Sequence, residues 1–424
     1  MNKHTAFVNP RTGERVVRID HKSGLPIYVW PKPGYQSCYA VFGTSYGSID
    51  TVFDIDGRRT EVPAGIAHYL EHKLFENEDC DAFDKYAKTG ANANAFTTFD
   101  RTAYLFSCTG DIAPSLEVLL DFVQKPYFTD ATVEKERGII GQEIRMYDDT
   151  PGWRVFFNAL RSLYSRHPVR VDIAGTVESI AKITPDLLYG CYHAFYNLHN
   201  MVLSVAGNVT PEQVEAVADR LLVPAPAWNL ARADMNEPET VAVPRIEETM
   251  AVAAPLFYYG YKLPVHGTGT MSARQGAAAD ALLELLAGNA SPLYARLMRD
   301  GLINQSFGME LFDGPGYAAF FFGGESRDPD AVAAAIQAEA ERMRREGIDP
   351  DRFASVRNAL YGSAVMSLND VEDCGDSLMN GHFRGYAPFE ALEATAALTV
   401  EDVAALLDVF VPERAVLSIV RPQA

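Results

Sequence analysis

The stretch Gly65-Ile66-Ala67-His68-Tyr69-Leu70-Glu71-His72-Lys73-Leu74-Phe75-Glu76 carries a His-x-x-Glu-His pattern at His68, Glu71 and His72. Each residue of a helix turns about 100°, so with His68 at zero Glu71 falls near about 300° and His72 near about 40°. The three side chains then share one arc of about 100°. Ile66, Leu70 and Leu74 form a separate apolar stripe at about 160–240°. One face is expected to pack and the other to point into a cavity. Val62-Pro63 precedes this run, and proline suits a first helical turn, so a helix is predicted over 65–76. Two imidazoles one turn apart can hold one zinc ion, and a carboxylate beside them can take a proton from water on the metal. The chain has 9 histidines in 424 residues. With glutamate at about 7%, a random chain of that length gives about 0.01 such matches.

A catalytic zinc ion takes three protein ligands and keeps one open position. The best source of a third ligand is the segment 129–149, TDATVEKERGIIGQEIRMYDD. Val133, Arg137, Ile140 and Ile144 recur at a helical period, and Pro151-Gly152 ends it. Glu136 and Glu143, seven apart, face the same way within about 20° and stand about 10 Å apart along the axis. Both cannot bind one ion at about 2 Å. One is expected to be a ligand and the other to serve nearby, and the spacing does not choose between them.

These motifs resemble those of the inverzincin zinc metallopeptidases, the family of pitrilysin, insulin-degrading enzyme and mitochondrial processing peptidase. That family pairs H-x-x-E-H with a later helix bearing E-x6-E, here Glu136 and Glu143, with 70 residues between His72 and Glu143. The stretch from Asn92 to Tyr104 resembles the family's N-A-x-T segment and following strand. Asn200 to Asn208 resembles the strand that closes its first domain. The resemblance covers nearly the whole chain. Its texture is most like the small bacterial YmfH-like members, through HKLFE and SPLYARLMRDGLINQSFG, residues 291–308.

The resemblance implies that His68, His72 and Glu143 bind Zn2+, that Glu71 is the general base, and that Glu136 supports catalysis from beside the ligands. It implies that the segment around Asn94, Ala95, Phe96 and Thr97 binds an extended peptide as an added strand. In the family an Arg and a Tyr from the far domain hold the substrate carbonyl. Here the Arg position falls at or beside Met298, next to Arg299, and the Tyr position falls at Asn304, so Arg299 and Asn304 are the candidates for that role. The implied function is a zinc-dependent endopeptidase that hydrolyses peptides or small unfolded polypeptides in an enclosed chamber. The alternative is a non-proteolytic or regulatory subunit of a peptidase-like complex; the filled motif favours the enzyme. At about half the length of the single-chain members, this chain is expected to form half of a clamshell, as a homodimer or as a heterodimer with a sister subunit.

A chain of 424 residues suggests two or more domains. The sequence repeats itself: Ile183-Thr-Pro-Asp-Leu187 starts a helix that leads to Met201-Val-Leu-Ser-Val205, and Leu398-Thr-Val-Glu-Asp402 starts one that leads to Ala415-Val-Leu-Ser-Ile419. Two homologous domains follow, at 1–222 with the zinc motif and 240–424 without it, joined by a linker at 223–239 rich in Pro, Ala and Glu. Strands are expected at 26–30, 38–44, 102–108, 201–206, 251–261, 317–323 and 415–420, among long helices such as 130–147 and 272–288. The predicted fold class is α+β, each domain a mostly antiparallel sheet with helices on one face.

The net charge of −19 argues against nucleic acid as a partner. Five cysteines, at 38, 80, 108, 191 and 374, are odd in number and form no C-x-x-C, which argues against a disulfide framework. No apolar leader and no run approaching the ~18 residues of a spanning helix are visible, so no membrane association and a cytoplasmic location are expected.

Overall fold

Three runs, PIYVWP, SCYAVFGT and MVLSVAG, are apolar almost without interruption. Strands of that kind need cover on both faces of a sheet. In the computed structural model, which describes residues 2–78, 80–265 and 267–423, they are the three central strands of the first of two compact units.

The elements in chain order begin with β1 (Lys3–Val8), β2 (Arg15–Asp20), β3 (Pro26–Pro31), β4 (Ser37–Thr44), β5 (Val52–Ile55), β6 (Arg58–Glu61), α1 (Ile66–Leu74) and α2 (Ala82–Thr89). There follow β7 (Asn92–Thr97), β8 (Thr102–Thr109), α3 (Ala113–Phe122), α4 (Asp130–Asp148), α5 (Pro151–Leu163), α6 (Val177–Ile180), α7 (Pro185–Phe195), β9 (Met201–Gly207), α8 (Pro211–Leu221) and β10 (Leu230–Arg232). The later part has β11 (Arg245–Met250), β12 (Leu256–Lys262), α9 (Ala273–Ala287), α10 (Pro292–Arg299), β13 (Gly308–Gly314), β14 (Tyr317–Glu325), α11 (Pro329–Glu346), α12 (Pro350–Ser367), α13 (Val371–Arg384), α14 (Glu390–Ala396), α15 (Val400–Ala404) and β15 (Ala415–Pro422).

The first unit holds a seven-stranded sheet in the order β1-β2-β3-β9-β4-β8-β7 and a small sheet, β10-β5-β6. Within the large sheet only β3 and β9 run parallel. The second unit holds a five-stranded sheet, β11-β15-β12-β14-β13, in which only β11 and β15 run parallel. Its order matches β3-β9-β4-β8-β7 strand for strand, so the repeat read from two helix–strand pairs extends to a whole sheet. Each unit is a mostly antiparallel sheet layered with helices, the α+β class expected.

One face of the large sheet packs on α1, α3, α7 and α8 through Ile27, Phe42, Leu70, Leu119, Leu188 and Val214, among others. The opposite face packs Tyr28, Tyr39, Val41 and Val202 against Val371, Cys374, Leu378 and Met379 of α13. That helix is absent from the sequence-based expectation, which put helices on one face only. Its buried residues recur at the period of an amphipathic helix, but one of them is Gly375, and Asp373, Asp376, Asn380 and Gly381 around them dilute the apolar signal. Gly375 is needed there, because a Cβ would run into the Tyr39 ring.

By packing, the first unit comprises residues up to Ile144, Asp172–Ala233 and Val365–Phe389, and the second comprises Arg145–Val171, Asp234–Ala364 and the chain from Glu390 onward. Each half of the sequence therefore lends one helix to the other half's sheet: α13 to the first, α5 to the second. The chain passes from the first unit to the second at Ala233/Asp234, inside the expected linker 223–239, but the exchanged segments Arg145–Val171 and Val365–Phe389 depart from a simple division there. The linker is not a bare tether. Within the first unit β10 pairs with β5, and Arg232 meets Asp50 at 2.6 Å. Within the second, Glu237 accepts from the backbone N–H groups of Ser165, Arg166 and His167 and pairs with Lys262 at 2.7 Å. The strand expected over 251–261 is β12, which starts only at Leu256, and a further strand the expectation omitted, β11, ends before it at Met250. Pro255 cannot donate to a ladder, and the alternating, half-exposed β11 reads as a polar edge.

Candidate metal centre

Helix α1 begins one residue after Gly65, whose φ of 87° is left-handed. A Cβ at Gly65 would also strike the Ala174 carbonyl, so glycine here sets where the helix starts. Pro63 thus lies before the helix rather than in its first turn. Ile66, Leu70 and Leu74 are fully or nearly fully buried, as the stripe requires. Tyr69, also buried, donates its hydroxyl to the Val133 carbonyl of α4. Helix α4 turns Val133, Glu136, Ile140 and Ile144 inward, which brings Glu136 and Glu143 to α1.

There the two carboxylates separate in role. Glu143 lies 3.8 Å from His68 Nε2 and 3.7 Å from His72 Nε2. Glu136 Oε1 lies 3.0 Å from His72 Nδ1. The seven-residue spacing lets the pair straddle one imidazole, with Glu136 at its Nδ1 and Glu143 on the Nε2 side. The rings of His68 and His72 stand 4.5 Å apart at 64°. One donor atom from each of His68, His72 and Glu143 falls within 4.8 Å of the others. A tetrahedral ion with bonds of about 2.0–2.2 Å needs donors about 3.3–3.6 Å apart. The donor set, two nitrogens and a carboxylate oxygen, suits zinc, and the two distances from Glu143, 3.8 and 3.7 Å, exceed that spacing by only a few tenths of an ångström.

The electrostatics differ among the three donors. Burial, and then repulsion from His72, press the His68 pKa down to about 3, so its imidazole is neutral at neutral pH and its lone pair is available. Burial also opposes charge on His72, but the Glu136 hydrogen bond and the carboxylates of Glu71, Glu136 and Glu143 outweigh it and raise that pKa. Burial raises the Glu143 pKa; His72 opposes this, and Asp172 and Glu136 add to it. For Glu136 burial works upward, yet the hydrogen bond and charge of His72 prevail and hold its pKa low. His68 Nδ1 is buried with no hydrogen-bond partner among the described residues. Of these two histidines, His72 is the one with a carboxylate hydrogen-bonded to its ring among the described residues.

Glu71 is 8% exposed and accepts a 2.8 Å hydrogen bond from Thr97 Oγ1. Burial raises its pKa, against the pull of His72 and Thr97. Two groups escaped the sequence reading. Thr97 appeared there only as part of a peptide-binding segment. Lys73 is 0% exposed and pairs with Glu76; the three-residue spacing in HKLFE was its available signal.

Strand β7 is the outer strand of its sheet. Thr98 N–H donates to the Arg101 carbonyl, so with the register Ala95↔Tyr104 and Thr97↔Thr102 the backbone groups of Ala95 and Thr97 face the open edge. Asn94 Oδ1 accepts from Ala95 N–H at 2.9 Å, capping one edge donor. The strand alternation divides the four candidates: Ala95 packs on the α1 side of the sheet and Phe96 on the α13 side. Arg299 and Asn304 belong to the second unit. Arg299 ends α10 and is exposed. Asn304 is committed within its own unit, donating to Glu325 at the end of β14 at 2.7 Å and accepting from Ser306 N at 2.8 Å.

A layered α+β unit with an inverted paired-histidine motif on one helix and a carboxylate from the next long helix defines a class of zinc-peptidase-like proteins. The family described as Insulinase (Peptidase family M16) matches residues 56–177, and the one described as Peptidase M16 inactive domain matches residues 182–360. The uncharacterized zinc protease YmfH of Bacillus subtilis is 41% identical over 387 residues, 90% of this chain and 90% of that one. The crystal structure of an M16-like peptidase from Alicyclobacillus acidocaldarius is 34% identical with a TM-score of 0.92, over 100% of this chain and 99% of that one. Pitrilysin shares the fold, with a TM-score of 0.77 at 17% identity over 100% of this chain and 47% of its own. The chain belongs to the M16 peptidase family.

Proposed function

We propose that this chain is a zinc-dependent endopeptidase acting on peptides or small unfolded polypeptides. The observation that carries the reading is the convergence of His68, His72 and Glu143 within 4.8 Å, beside the buried carboxylate of Glu71. Zinc held by these three residues would supply a water of lowered pKa and polarise the peptide carbonyl. Glu71 accepts the water proton and passes it to the leaving amine. Glu136, at His72 Nδ1, fixes the ring so that Nε2 is presented to the ion. Ala95 and Thr97 offer backbone groups along the edge of β7 to an extended peptide, which gives affinity without sequence choice. Phe96 and Asn94 serve the strand rather than the reacting bond. Arg299 and Asn304 are retained as candidate substrate contacts by resemblance alone.

The same reading has the chain work with a second copy or a sister subunit around an enclosed chamber, in the cytoplasm. All five cysteines are free, in keeping with a reducing compartment, and no described helix is long and apolar enough to cross a membrane.

Metal analysis with a quenched-peptide assay tests the reading. One zinc per chain, cleavage abolished by a chelator and restored by zinc, is expected. A zinc-loaded protein inert alone and with a sister chain would favour the regulatory subunit instead.

A further inference from the structure

We infer that Thr97 is a positioning residue for Glu71, and that its hydroxyl is not a substrate contact. This rests on the endopeptidase reading above.

A threonine hydroxyl has one proton to give. Thr97 Oγ1 has two neighbours that could receive it: Glu71 Oε2 at 2.8 Å and Thr102 Oγ1 at 3.3 Å. The carboxylate is nearer and charged, and hydrogen bonds to ionised acceptors are the stronger kind. Thr102, fully buried, commits its own proton to the Tyr46 carbonyl at 2.8 Å. The Thr97 proton therefore goes to Glu71.

The strand holds Thr97 in place for this. Thr97 and Thr102 are directly opposed in the β7–β8 ladder, and such cross-strand pairs restrict each other's side chains. Glu71 sits on a different element, α1, and the hydrogen bond its carboxylate accepts comes from Thr97 rather than from its own helix. Binding Oε2 from β7 fixes the carboxylate plane and leaves Oε1 as the oxygen for a water proton. Thr97 also directs its backbone groups to the open edge of β7. The residue that would meet a docking peptide with its main chain thus holds the general base with its side chain.

The test compares Thr97→Val with Thr97→Ser in zinc-loaded, full-length protein. Valine keeps the shape and removes the donor. We expect kcat to fall about tenfold or more with KM changed less than about twofold, the pattern of an interaction that matters only in the transition state. Serine should recover activity to within about threefold, since it restores the donor. Zinc content should match wild type in both. In crystals of the metal-free protein, Glu71 should hold one rotamer in wild type and Thr97→Ser but several in Thr97→Val. If Thr97→Val does not fold, Thr97→Ala takes its place, with the same expectations. A raised KM at unchanged kcat would return Thr97 to substrate binding. Loss of zinc together with kcat, or unchanged kinetics, would also overturn the inference. A wild-type protein that binds zinc and cleaves nothing removes the parent reading and this one with it, whereas an active wild type with an indifferent Thr97→Val removes this one alone.

Discussion

Helices α1 and α9 occupy the same place in the repeated order, each preceding the outer strand of its sheet. Their interiors are unlike. The buried positions of α9 are all alanine or leucine, whereas α1 buries Glu71 and Lys73 and turns His68 and His72 toward α4. The helices that follow diverge in the same way. Helix α4 buries Glu136 between apolar turns; α12, its counterpart, buries only Phe353. Two sheets of one strand order thus hold quite different helix layers. The sheet specifies the repeat, and the chemistry is a local departure from apolar packing that each polar group sustains through a named partner: Thr97 for Glu71, His72 for Glu136, Glu76 for Lys73.

The strongest way to sharpen this contrast is Glu71→Gln, which keeps shape and loses the base. Cleavage should fall by about 10²–10⁴-fold or more with zinc and thermal stability retained; a near-wild-type rate in the peptide assay would end the mechanism. Next come the two carboxylates of α4. Glu143→Gln should lower zinc content sharply. Glu136→Gln should keep zinc at saturating metal and reduce turnover by about 10–100-fold. Metal analysis giving the reverse order would exchange their roles.

In the second unit, Leu282→Ala removes a fully buried side chain from α9 and should cost about 2–5 kcal/mol in urea unfolding. Zinc affinity measured by chelator competition should not change; a parallel fall would show that the apolar helix layer supports the metal site after all. The smallest effect concerns pH. His167 Nε2 lies 3.1 Å from the Pro315 carbonyl, and its Nδ1 accepts from Val169 N–H, an arrangement only the neutral ring satisfies. Burial, against the Pro315 and Glu237 contributions, lowers its pKa to about 4. The unfolded chain, near about 6.5, binds the proton first, so stability is lost as pH falls from about 6.5 toward 4. Between pH 7 and 5 this amounts to about 2 kcal/mol, and His167→Gln should remove it from the pH dependence of the urea midpoint. An identical slope in the variant would exclude the assignment.

The sequence spoke most clearly where periodicity and chemistry coincide. In α1 the His/Glu arc and the Leu70 stripe occupy different angles of one helix, and both are read from spacing. In α4 the spacing of Glu136 and Glu143 is local and legible, but which of them faces Nε2 depends on how α4 crosses α1, a tertiary matter. The bond from Thr97 to Glu71 joins residues 26 apart on different elements, and no periodicity reports it. Helix α13 was lost because its polar and glycine residues dilute a regular apolar stripe. Its destination, a sheet built from the other half of the chain, is invisible to any local pattern.

That destination has a consequence for how the protein is made. The unit that carries His68, His72 and Glu143 needs Val365–Phe389 to cover one side of its sheet, and those residues are translated more than about 200 positions after Glu143. Until then Tyr28, Tyr39 and Val41 have no partner on that side. A product that stops short of α13 would leave that face of the sheet bare.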